Sequence, residues 1–121
     1  MKTRLVLLSA TLATLATASL AQQPAQPMTF RLSAERNPTA CSGLDAALSR
    51  PQTVTIANDV AILKSNGGIN DKAKKTAPGV YKTKWSASGA TLDIEVNTTS
   101  SPAMLLVTEP KLGCKWTGKA A

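Results

Sequence analysis

The residues able to do chemistry are few, and what they lack says more than what they offer. Seven carboxylates (Glu35, Asp45, Asp59, Asp71, Asp93, Glu95 and Glu109) are scattered along the chain, and there is no histidine. That removes the usual general base, the commonest metal ligand and the near-neutral proton switch together. Without histidine, an activated serine would need a lysine, and no Ser-x-x-Lys occurs. A glycosidase pair needs one acid with a raised pKa, whereas Asp93 and Glu95 are expected opposite lysines, which keeps them ionised. Cys41 and Cys114 are the only thiols, and two cysteines so far apart cannot complete a tetrahedral zinc site. No enzyme, metal or cofactor is therefore expected.

The remaining candidates are binding groups. Lys72, Lys74 and Lys75, with Lys82 and Lys84 close in sequence, form the one basic cluster. An acidic protein or an anionic polymer is the expected partner. A nucleic-acid reader would add an aromatic or arginine grid, which is missing, so nucleic acid is not expected. Of the few aromatics, Trp85 and Tyr81 are assigned to the core face of a hairpin, while Trp116, near the terminus, is expected to be the more exposed tryptophan. Asn97-Thr98-Thr99 is a formal glycosylation sequon, expected to be unused in a chain whose leader is bacterial in style.

The leader sets the compartment. Lys2 and Arg4 make a basic n-region, Leu5 to Leu15 an apolar stretch, and Ser19-Leu20-Ala21 a small-x-small cleavage pattern, so residues 1–21 read as a secretory signal peptide, with a cut after Ala18 as an alternative. Periplasmic or secreted localisation follows. Removal leaves 100 of the 121 residues, one domain, with no long apolar segment left to span a membrane. Of the 14 basic residues two leave with the signal, so 12 remain against seven acids and the balance is +5. In an oxidising compartment the lone cysteine pair is expected to form one disulfide. It would close a 73-residue loop, for which the chain-entropy model gives roughly 4 kcal/mol.

Residues 22–27, Gln-Gln-Pro-Ala-Gln-Pro, read as a flexible leader, 28–117 as a single β domain, and 118–121 as a frayed tail. Met28, Phe30 and Leu32 alternate as a first strand. Leu44, Ala47 and Leu48 share a helical face, predicting a short helix from about Ala40 to Ser49 that stops before Pro51, capped by Asn37-Pro38 or by Ser42. Thr53–Ala57 and Val60–Lys64 make a hairpin turning at Asn58-Asp59. The polar run from Ser65 to Pro78, which carries the three lysines, reads as a surface loop.

Residues 79–98 are the best-specified hairpin, turning at Ser88-Gly89. Pairing Ala87 with Ala90 sets Trp85 opposite Leu92, Thr83 opposite Ile94 and Tyr81 opposite Val96. The other face then carries Lys84 opposite Asp93 and Lys82 opposite Glu95. One register satisfies apolar and charge matching together. Ala103–Glu109 is apolar enough to predict a central strand covered on both faces, and Cys114–Thr117 a last strand. About seven strands and one helix predict a mainly β fold, a small antiparallel β-sandwich or closed β-barrel held by one disulfide.

Ser86-Ala87-Ser88-Gly89-Ala90, at the tip of that hairpin, resembles the Ser-Gly-Ser-Gly-Ala loop of bacterial periplasmic inhibitors of C-type lysozyme, which are small disulfide-stapled β-barrels. The likeness covers five residues. In that family a basic residue and a tyrosine follow, where this chain has Thr91 and Leu92. The resemblance implies a rigid tip presenting Ser88 and Gly89 to a partner's cleft. The functional expectation is an exported, non-enzymatic envelope-binding domain with candidate contacts at Lys72, Lys74, Lys75, Ser88, Gly89 and Trp116. The alternatives are a hydrolase inhibitor or a structural envelope protein without a discrete site.

Overall fold

The computed structural model describes residues 26–121; the expected signal peptide and residues 22–25 of the leader lie outside the described residues. The strands are β1 (Met28–Phe30), β2 (Ser33–Ala34), β3 (Gln52–Ala57), β4 (Val60–Lys64), β5 (Asp71–Ala77), β6 (Val80–Ala87), β7 (Ala90–Asn97), β8 (Met104–Glu109) and β9 (Cys114–Lys119). A 3-10 turn at Thr39–Cys41 runs into helix α1 (Ser42–Leu48). All nine strands belong to one antiparallel sheet in the order β1-β3-β4-β5-β6-β7-β8-β9-β2, an open half-barrel. This corrects the expected closed barrel or sandwich of about seven strands. Two strands were added: the 65–78 run contributes β5, and the first strand divides into β1 and β2, which lie at opposite edges of the sheet.

That division has a local cause. Between β1 and β2 the chain crosses β9, where the carbonyl oxygen of Arg31 lies against Gly118; a Cβ there would stand 2.5 Å from that oxygen. Only glycine admits the crossing. Phe30 makes an isolated bridge to Ala120, and the Ala121 N–H donates to the Thr29 carbonyl at 2.9 Å. Residues 118–121, expected to fray, are thus drawn against the first strand.

Both predicted hairpins form in the expected registers. Ala57 pairs with Val60, and every pair from Tyr81–Val96 to Ala87–Ala90 is present. Their tips hold Asn58, Asp59, Ser88 and Gly89 at positive φ of 51°, 64°, 52° and 78°, the conformation that two-residue hairpin turns need. Val54, Ala61, Leu63, Ala73, Leu92, Ile94, Val96, Leu105, Val107 and Trp116 line the inner face and are buried. Leu44 and Leu48 of α1 join the same cluster. Strand β8 is central in the order but alternates: Leu105 and Val107 are buried while Met104 and Leu106 are half-buried on the outer face. The expectation of cover on both faces is corrected, because the single sheet has nothing packed on its outside.

The Cys41–Cys114 disulfide forms as expected and fastens the start of α1 to β9. Neither predicted cap is made. The Asn37 Oδ1 instead accepts from the Lys115 N–H at 2.7 Å, pinning the pre-helical segment to β9. Among the described residues no helix is long and apolar enough to cross a membrane.

Candidate functional site

Lys72, Lys74 and Lys75 lie on a strand, which corrects the surface-loop expectation. Strand periodicity then decides where they point. Ala73 is buried, so Lys72 and Lys74 project from the outer face. Lys75 does not join them as a free cation: its Nζ lies 3.4 Å from the Asp59 carboxylate, and its backbone N–H donates to the Asp59 carbonyl. Its place beside Lys74 is taken by Lys82, directly opposite across β5–β6. Like charges set opposite one another in a sheet are destabilising, so this pair works against the fold that holds it.

Lys82 and Lys84 are held by Glu95 at 3.5 Å and Asp93 at 3.1 Å on β7. Among the described residues, Lys72 and Lys74 have no carboxylate within ion-pair distance. Their neighbours on β4 are Ile62 and Val60, both half-buried. The outer face therefore carries, in succession, an aliphatic strip, a lysine band two strands wide and an acidic stripe. A shallow depression of about 460 Å³ lies over β6–β8, with Lys82, Lys84, Asp93, Glu95, Leu106 and Thr108 around it.

At the end of the sheet where the β6–β7 tip projects, Gly89 faces open space. A second depression, of about 340 Å³, separates this tip from the β8–β9 turn and is lined by Gly89, Thr91, Pro110, Lys111 and Leu112. Leu112 is 45% exposed, the one large exposed apolar side chain among the described residues. The turn that carries it is fixed by Glu109, whose buried carboxylate accepts from the N–H groups of Lys111 and Leu112.

Trp116 is not a surface residue. It is 2% exposed, and its indole N–H donates to Asp45 of α1 at 2.8 Å. Trp85 is the half-buried tryptophan, so the expected order of exposure is reversed. The structure thus brings Lys72 and Lys74 together with Lys82, places Ser88 and Gly89 on a separate end, and removes Trp116 to the core.

Each of the seven carboxylates has a structural partner. Besides the three ion pairs, Asp45 holds Trp116 and Glu109 holds its turn. Glu35 accepts from the Thr117 hydroxyl, and Asp71 from Thr83 and from the Lys72 N–H. The part of the site that sequence reasoning missed is the Lys74–Lys82 juxtaposition. Lys82 had been placed on the outer face by its hairpin, but nothing in 71–77 announced the strand that sets Lys74 beside it.

Comparison with known protein families, characterised proteins and solved structures finds no match to this chain. The five-residue likeness at Ser86–Ala90 rests on that loop alone.

Proposed function

We propose that this protein is a non-enzymatic binding domain, exported to the bacterial envelope, that engages an anionic polymer or acidic partner through the lysine band of β5–β6. The observation that carries the reading is the abutment of Lys74 and Lys82 beside Lys72. A sheet gains nothing in stability from that pair, and a polyanion laid across it neutralises the repulsion. The engagement of all seven carboxylates in holding the fold or pairing with lysines supports binding over catalysis. The disulfide suits an oxidising compartment, in keeping with export; the product recovered from its native host should then start near Gln22.

The test is the affinity of the purified protein for a long-chain polyanion at low salt. Lys72→Gln/Lys74→Gln should weaken it by roughly tenfold or more, since each neutralised contact removes a counterion-release step. Unchanged affinity would reject the reading. A second reading, insertion of the Ser88–Gly89 tip into a partner's cleft as a hydrolase inhibitor, is favoured by the open space around Gly89 and the adjoining exposed Leu112. Inhibition lost on Gly89→Asp but kept in the lysine variant would select it.

A further inference from the structure

The outer face also carries a pattern that bears on which kind of polyanion fits, and this step rests on the reading just given. At one register the residues across the sheet are Val60, Lys74, Lys82, Glu95 and Leu106. The neighbouring register holds Ile62 and Lys72 on β4 and β5, and Lys84, Asp93 and Thr108 on β6 to β8. Positive charge is thus confined to a band two strands wide, with a parallel acidic stripe along its β7 side.

Neighbouring strands are about 4.8 Å apart. The acids therefore lie about 10 Å from the centre of β5, beyond the Debye length of about 8 Å at physiological salt. A narrow chain lying along β5 meets Lys72 and Lys74 and feels the acids only through screening. A broad anionic surface is different: to cover the band it must also press on Asp93 and Glu95, and like-charge juxtaposition excludes such partners.

The spacing agrees with a linear occupant. Lys72 and Lys74 are two residues apart on one face, about 7 Å along the strand, so successive charges of an extended chain can reach both. The recognising groups are lysines, while the arginines of the described residues, Arg31, Arg36 and Arg50, lie off this band. Ammonium groups act as point charges without the bidentate geometry of arginine, which suits a repeating, conformationally mobile polymer.

We infer that the occupant is a single linear polyanion running along β5, and that Asp93 and Glu95 determine specificity by rejecting anionic membrane surfaces. They stand beside the bound chain and restrain Lys82 and Lys84. Neutralising them frees two lysines and removes the repulsive stripe.

The experiment compares two probes, long-chain inorganic polyphosphate and vesicles of phosphatidylglycerol with phosphatidylcholine, at 0.1 M salt. The proteins are the wild type, Asp93→Asn/Glu95→Gln, the single Glu95→Gln, and Glu35→Gln as a control with the same charge change at β9. Wild type should bind polyphosphate and leave vesicles nearly unbound. A charge beside an anionic leaflet counts for about fivefold in partitioning, so Glu95→Gln should raise vesicle binding about fivefold and the double variant about 25-fold, whereas Glu35→Gln changes it less than twofold. Polyphosphate affinity should rise by a smaller factor than vesicle binding.

Wild type binding vesicles as well as polyphosphate, or Glu35→Gln matching Glu95→Gln, would overturn the specificity assignment while leaving the lysine band intact. Polyphosphate binding unaffected by Lys72→Gln/Lys74→Gln would overturn the underlying reading as well. Unfolding midpoints of all variants establish that each is folded, and the single variants give the answer if the double variant is not.

Discussion

Replacing Lys74 with glutamate should make the protein more stable and less able to bind. In the native sheet the Lys74 side chain stands directly opposite Lys82, with Cβ atoms of such a pair about 5 Å apart. Two ammonium groups splayed to about 7 Å repel by roughly 0.6 kcal/mol in water. Reversing one charge changes the sign, for a swing of about 1.2 kcal/mol, which screening at 0.1 M salt reduces to about half. Lys72, two residues away on the same face, adds attraction to the new carboxylate, so the net gain should be about 0.5–1 kcal/mol. For a domain of this size that corresponds to a rise in Tm of about 3–6 °C. Thermal unfolding in 0.1 M and 1 M salt is the assay. At 1 M the Debye length falls to about 3 Å, and the gain should nearly vanish. Lys74→Gln, which only removes repulsion, should give about half the effect. A destabilised Lys74→Glu variant, or a gain that survives 1 M salt, would refute the claim that electrostatic conflict is built into this face.

Three further outcomes follow from the packing. Replacing both cysteines with alanine should cost about 4 kcal/mol by the loop-entropy estimate for a separation of 73 residues, read from urea unfolding midpoints. The pair Trp116–Asp45 should show a coupling of about 1–2 kcal/mol in a double-mutant cycle of Trp116→Phe with Asp45→Asn, because each group is the other's buried partner. Gly118→Ala should cost about 2 kcal/mol, since the added methyl meets the Arg31 carbonyl and the crossing strand must move; a thermal shift below 1 °C would contradict that account.

What the sequence revealed, and what it hid, divide along physical lines. The β6–β7 hairpin was legible because two independent patterns, aromatic with aliphatic on one face and lysine with acid on the other, agree on one register. The β3–β4 hairpin was legible for its Asn58-Asp59 turn and its alternating aliphatics. Strand β5 was hidden because Asp71–Ala77 buries a single side chain, Ala73. It is a strand because β4 and β6 each offer a backbone ladder, and no local periodicity records that. The same blindness hid the core of the candidate site, since Lys74 meets Lys82 only through that ladder.

Trp116 was misplaced for a related reason. Its burial depends on α1 folding over it with Asp45 positioned to accept from the indole, a contact spanning 71 residues. Proximity to the terminus suggested exposure, but the last strand is covered by the helix and tied by the disulfide. Division of the first strand was equally invisible, being set by a backbone crossing at Gly118 that leaves no mark in the pattern of Met28, Phe30 and Leu32.

The central claim, that Lys72 and Lys74 form the contact surface for a polyanion, is tested most directly by the salt dependence of binding. The slope of log K against log salt concentration counts the contacted charges, at about 0.7 for each in a flexible single strand. Lys72→Gln/Lys74→Gln should lower the magnitude of that slope by about 1.4 relative to the wild type. An unchanged slope in the folded variant would contradict the account.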